Sequence, residues 1–364
     1  MTTLVIGGGV VGLSLAYGLL SRGKPVTVLD GSAGDPRASR GNFGLIWVQG
    51  KGIGYPAYAR WSQTSAKAWP DFCTRLEEVS GLPLSLSQTG GVEYYTNPDE
   101  MARDAEDLTT LARDIDAPYP FEPLDHSGLK SLVPEIGPKV VGGIYSPMDG
   151  HVNPLALLRA LSVAVRRLGG VVRTGVTVTD IKGADRAFTA ILSTGERIEG
   201  EAIVLAAGLG AMSLGPLLGF QAPVRPQQGQ VLITEKLPFF LRYPSGTLRQ
   251  VNEGGIQIGA SKAEVGMDDR EDIDTIAALA RHATDVFPHL TGVRLLRSWA
   301  ALRIMSPDGF PIYQRSPLYQ GASFVTCHSG ITLAANHATL LPDWILGRNE
   351  APDVTPFSES RFDV

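Results

Sequence analysis

The first twenty residues restrict the fold more than any other stretch. Leu4 to Ile6 form a short apolar run, Gly7, Gly9 and Gly12 give the spacing G-x-G-x-x-G, and Leu13 to Leu20 continue with helical character. One glycine makes the tight turn, one lets the backbone approach a pyrophosphate, and one lets helix and strand pack closely. The helix start offers free N–H groups and a positive dipole end to phosphates. A second apolar strand over 25–29 ends at Asp30, eighteen residues after Gly12. An acid placed there accepts a hydrogen bond from a ribose hydroxyl. The same glycines could mark a tight turn in an unrelated α/β protein. The strand before them, the helix after them and the acid beyond favour a dinucleotide site.

A chain of 364 residues holds two domains, or one with a large insertion. With 43% hydrophobic and 19% charged residues it belongs among ordinary soluble globular proteins. A net charge of −5 leaves no basic face to offset phosphates, which excludes nucleic acid as a partner. The only cysteines, Cys73 and Cys327, exclude a disulfide framework and suit a reducing compartment. The histidines show no metal-ligand spacing, so no metal site is expected. The apolar N-terminus lacks a basic leader and reads as retained structure, and no apolar run reaches membrane-spanning length. The predicted location is the cytoplasm.

Further along, residues 38–52 alternate small, polar and apolar types, and the stretch reads as a loop that wraps a cofactor with backbone donors. A solvated linker would not need Ile46, Trp47 and Val48. Periodicity predicts helices over 55–80 and 99–115, and a third to residue 168 opened by the Asn153-Pro154 cap. Residues 84–96 alternate around Thr89-Gly90-Gly91 and predict a hairpin. Short strands are expected over 171–173 and 176–181, then a hairpin across Gly195 and a buried strand over 202–206 leading into Ala207-Gly208. Strands over 230–234, 248–251 and 256–259 precede a helix over 272–287. Residues 299–303 lead into the turn Ser306-Pro307-Asp308-Gly309. A strand over 324–326 and Cys327-His328-Ser329-Gly330 introduce a last helix over 331–346.

These marks, in this order, resemble the FAD-dependent D-amino acid oxidase family, the group that includes glycine oxidase, sarcosine oxidase and D-amino acid dehydrogenases. The resemblance rests on 5–13 with Asp30, on Ser39-Arg40-Gly41-Asn42-Phe43-Gly44, on Gly150-His151-Val152-Asn153-Pro154, on Val204-Leu205-Ala206-Ala207-Gly208, on 299–309 and on 328–334. Within the family, residues 44–52 and Leu248-Arg249-Gln250 look most like β-subunits of opine oxidases and D-hydroxyproline dehydrogenases.

The resemblance implies an α/β fold: a Rossmann-like three-layer FAD-binding domain from 1–83, 146–222 and 299–364, and a β-rich substrate domain from 84–145 and 223–298. It implies non-covalent FAD. Gly7, Gly9, Val10, Val11 and Gly12 would meet the pyrophosphate and Asp30 the ribose. The Val176 backbone would meet the adenine, with Ala207 and Gly208 nearby. Ser39, Arg40, Gly41, Asn42, Gly44 and Leu45 would cross near the flavin. Ser329, Gly330, Ile331 and Thr332 would start a helix aimed at its pyrimidine edge.

Arg303 matches the arginine that holds the substrate carboxylate, at the edge of the cofactor site, and its planar fork suits that task. On its residue type alone it would more readily cap a carbonyl or pair with a surface acid, and its position in the motif reverses that preference. Arg249 could contact a second carboxylate or a polar side arm, or serve as a sheet-edge arginine. His328 could orient substrate or bond within its own turn. Three departures stand out: Ile304 follows the arginine instead of proline, Cys327 replaces a glycine, and Thr247 falls where glycine oxidase has tyrosine. The implied reaction removes hydride from the carbon beside an amine, with no side-chain base required. A 2-hydroxy acid dehydrogenase with His328 as base is the alternative enzyme. A flavin-bearing subunit active only with a partner chain or electron acceptor, in an oligomer, is the other alternative.

Overall fold

The computed structural model describes residues 2–31, 38–259 and 261–363. Positions 1, 32–37, 260 and 364 of the expected segments lie outside that description. The central sheet has the order Ile312–Arg315, Ala322–Thr326, Ala202–Leu205, Thr3–Ile6, Val26–Asp30, Val171–Thr174, parallel except for the antiparallel first strand. Connections leave the Thr3–Ile6 strand in both directions, so a crevice opens at its C-terminal end.

Alternation along each strand divides the core. Val5, Val28, Val204 and Val325 face the helices Val10–Leu20, Pro56–Ser80 and Pro154–Arg167. Leu4, Ile6, Leu29, Ile203 and Phe324 face the other way, onto a three-stranded meander of Val178–Ala184, Ala187–Leu192 and Arg197–Gly200. Period-2 side-chain direction thus yields helix, sheet and meander as three layers. The fold is α/β, as the sequence predicts.

A second body contains an antiparallel sheet in the order Leu248–Gln250, Gly255–Ile258, Arg225–Lys236, Leu295–Met305. The Gly91–Tyr95 strand, in the sheet Gly91–Tyr95, Gly142–Ser146, Glu122–Asp125, meets it where the Val92 N–H donates to Pro244 O. Their shared core joins Val92, Tyr94, Leu232, Leu248, Ile256 and Phe287.

Three local expectations need correction. No hairpin forms over 84–96. Gly91–Tyr95 pairs with Gly142–Ser146, while Ser87 exchanges two backbone hydrogen bonds with His151. The glycines bend the chain between two different partners, and alternation alone names neither. The strand expected over 176–181 begins at Val178.

The last helix is two short ones, Ala334–Thr339 and Leu341–Ile345. The break precedes Pro342, which has no N–H to give. The start is delayed because the Trp69 indole takes the carbonyls of Ile331 and Thr332, both at 3.1 Å. Asn336 N–H meanwhile donates to Ser65 Oγ. Pro70, inside Pro56–Ser80, likewise frees the carbonyl of Ala66, which accepts from Gln88 Nε2 at 2.9 Å.

Candidate active site

A cavity of about 1020 Å³ runs from the Gly7 turn to the face of the four-stranded sheet. At its first end the backbone is tight. Gly7 has φ +110°, and a Cβ there would lie 2.3 Å from Ala206 O. A Cβ on Gly12 would lie 2.0 Å from Gly7 O. Only glycine fits either position, and the turn leaves the helix start open to a phosphate.

Asp30 Oδ1 accepts from the Gly8 N–H at 2.9 Å, which places the carboxylate at the strand end beside the turn. Ser39 Oγ accepts from Val10 N–H at 3.0 Å, so that donor is engaged within the protein. Val176 N–H likewise donates to Asp30 O, so that donor too is engaged within the protein. This cradle of glycines, helix start and acid fits the diphosphate and ribose of FAD.

The loop after the second strand does line the cavity. Asn42 Oδ1 accepts from Gly44 N–H at 2.7 Å, and Gly41 O accepts from the Trp299 indole. Arg40 and Leu45 also reach the wall, as do Ala207 and Gly208 beyond the Ala202–Leu205 strand. Thr332 Oγ1 accepts from Trp47 N–H and donates to Leu45 O, tying this loop to the C-terminal turn. Gly330 and Ile331 belong to that turn and not to a helix, so the expected helix dipole gives way to the local N–H groups of a turn.

Arg303 lies on the cavity wall. Its guanidinium reaches back over Gly229, where a Cβ would lie 2.5 Å from it, and donates to Gln228 O at 3.0 Å. Burial holds its pKa below the ordinary value, and no carboxylate among the described residues pairs with it. His328 lies on the same wall, and burial pushes it down to about 3, with Lys51, Arg303 and Lys262 adding to the effect. The imidazole is neutral and weakly basic. Arg249 is placed differently from the expectation. It stands behind Phe43, 5.7 Å from the ring centroid, and donates to His151 Nδ1 at 3.0 Å, off the cavity wall.

Two wall residues carried no signal that sequence reasoning used. Lys51 Nζ donates to Ser329 Oγ at 2.6 Å, and burial pushes the amine down to about 8. A lysine set between two glycines in an apolar loop was the available hint. Glu93 accepts from Gly246 N–H at 2.9 Å, and burial pushes its carboxyl up to about 7. In the sequence it is one position of the alternating stretch 84–96, with nothing to single it out.

The sequence profile of the FAD dependent oxidoreductase family matches residues 2–344. The chain belongs to that family. One subunit of the opine oxidase of Rhizobium meliloti is 40% identical over 361 residues, covering 99% of this chain and 97% of that protein. Glycine oxidase of Pseudomonas putida is 27% identical and covers 98% and 97%. The crystal structure of glycine oxidase from Geobacillus kaustophilus has a TM-score of 0.89 at 24% identity, over 99% of this chain and 98% of that one. As a member of the FAD-dependent oxidoreductases the chain is an FAD enzyme, and the cavity's glycine end is where its residues suit the dinucleotide. Among the described residues no helix is long and apolar enough to cross a membrane.

Proposed function

We propose that this enzyme oxidises the C–N bond of an amino acid or N-substituted amino acid, with Arg303 holding the substrate carboxylate. The observation that carries this is a half-buried guanidinium on the cavity wall, bonded to one backbone carbonyl and without a counter-ion among the described residues. Such a charge is costly to bury without a partner, and a carboxylate matches its fork. The names of relatives that act on glycine and opines support the same class.

When bound, FAD supplies the two-electron acceptor. Gly7 and Gly12 leave room for the pyrophosphate, and Asp30 holds the ribose. Arg303 fixes the carboxylate and with it the direction of the Cα–H bond. That bond breaks as hydride while the nitrogen lone pair forms C=N, and the imine then hydrolyses. An uncharged amine needs no side-chain base for this step. An alcohol does, and a histidine held near 3 is poorly matched to that task at neutral pH. His328 therefore favours the amine over the 2-hydroxy acid.

The cofactor domain is assigned to 1–83, 146–222 and 299–364, and the substrate domain to 84–145 and 223–298. The shared core of Val92 with Leu232 supports this, while Leu108 and Leu111 of the Pro98–Asp114 helix belong to the core of the cofactor side. We also assign the chain as one component of a multi-subunit enzyme, as the name of the Rhizobium relative suggests. Buried, free Cys73 and Cys327 suit the reducing cytoplasm. Anaerobic bleaching of the flavin by a panel of amino acids, amines and 2-hydroxy acids tests the reaction. Bleaching by hydroxy acids alone would overturn it.

A further inference from the structure

Resting on that reading of Arg303, we propose that Glu93 selects a substrate whose side arm ends in a cation, a guanidinium or ammonium. Val92 and Tyr94 point into the core of the second body, so alternation turns Glu93 to the opposite face, with Gly91 against Trp47. There Glu93 lines the same cavity as Arg303. Among the described wall residues the acids are Glu93 and Asp30, and Asp30 belongs to the glycine end, bonded to Gly8.

Glu93 holds one hydrogen bond, from Gly246, and no base among the described residues pairs with it. The charges acting on it are those of Asp149 and Asp104, both negative. Asp149 is itself buried and takes the N–H groups of Val48 and Gln49. Lys51, on the same wall, acts on Asp149, which leaves Glu93 as a carboxyl without an ion-pair partner among the described residues, as Arg303 is a guanidinium without one.

The spacing sets the substrate's length. Arg303 lies over Gly229, on the Arg225–Lys236 strand, and Gly246 immediately precedes the Leu248–Gln250 strand, two places away in the sheet. Two strand spacings are about 10 Å. A glycine-sized molecule held at Arg303 leaves Glu93 unreached. An amino acid with a basic arm spans much of that gap, and Thr247, next to Gly246 on the cavity wall, is a small side chain.

The test uses the FAD-loaded full chain, parent and Glu93→Gln, with arginine and its neutral isostere citrulline as both enantiomers. Perturbation of the visible flavin band reads binding, and anaerobic bleaching reads turnover. Glutamine still accepts from Gly246, so FAD content reports whether the fold is kept. The parent should prefer arginine, and the arginine-to-citrulline ratio should fall about ten-fold or more in the variant, the size of one charge-assisted contact. Equal ratios in parent and variant, or no preference in the parent, overturn the assignment of Glu93. If neutral amino acids bleach the parent while arginine does not, this inference fails and the amino-acid reading stands. If no amino acid bleaches it, both fail.

Discussion

Lys51 and Ser329, 278 positions apart in the chain, are joined by a 2.6 Å hydrogen bond on the cavity wall. Tyr58 donates to the same hydroxyl at 2.9 Å, so the Gly50-Lys51-Gly52 loop, a core helix and the C-terminal turn meet at one oxygen. Burial is the larger influence on the lysine, and it brings the amine from 10.5 down to about 8, while Cys327 and Asp149 pull the other way. The ammonium is thus present at neutral pH and lost as pH rises through about 8. A cation beside this turn favours negative charge developing in the cavity. In stopped-flow flavin reduction, kcat/KM of the parent should fall as pH passes about 8. Lys51→Met should be slower at neutral pH and lack the fall near 8, keeping only the rise that deprotonation of the substrate amine imposes. An unchanged profile in the variant would assign the transition to another group.

Arg303→Leu leaves a bound carboxylate desolvated and unpaired. The expected cost is about 2–5 kcal/mol, or about 30- to 4,000-fold in apparent affinity at 1.4 kcal/mol per decade. Arg303→Lys should recover part of this, because an ammonium keeps the charge and loses the fork. FAD content should remain near that of the parent, and an amine lacking a carboxylate should be no poorer for the leucine variant. Parent-like kinetics with an amino acid in both variants would make the arginine structural.

Asp30→Ala removes the proposed ribose acceptor and the acceptor for Gly8 N–H together. FAD binding should weaken by about 1.5–3 kcal/mol, the scale of a charged hydrogen bond. Asp30→Asn keeps an oxygen for Gly8 and should lose less. Fluorescence titration of apoprotein with FAD measures both, and equal affinity for the alanine variant and parent would remove the ribose role.

The flavin should be released by acid precipitation. Cys327 lines the cavity, but burial pushes its thiol up to about 12, and a protonated thiol is a poor nucleophile. Yellow colour retained in a washed pellet would show a covalent link.

Much of the nucleotide end was legible because geometry there is dictated locally. Gly7 and Gly12 are required by backbone contacts a few residues away or across one strand, and Asp30 follows from strand length. Arg303 was legible through its place in a run that ends at Pro307-Asp308-Gly309. Glu93 and Lys51 were not, because their significance lies in what faces them across the cavity. Arg249 shows the same limit from the other side. Its neighbours in sequence suggested a substrate contact, yet Phe43, distant in the chain, stands between it and the cavity. The late start of the last helix depended on Trp69 and Ser65, partners that no window around residue 331 contains.

The Trp69 indole has a consequence beyond delaying a helix. In a trans peptide the C=O and the following N–H point in opposite directions. By anchoring Ile331 O inside the core, the indole turns the N–H of Thr332 the other way, toward the side on which Thr332 borders the cavity. One buried ring on the far side of the wall therefore sets the direction of an amide dipole on the near side. A substitution such as Trp69→Phe, which keeps the packing and drops the donor, would leave that peptide plane held by the Ala334 N–H alone while touching neither substrate nor cofactor.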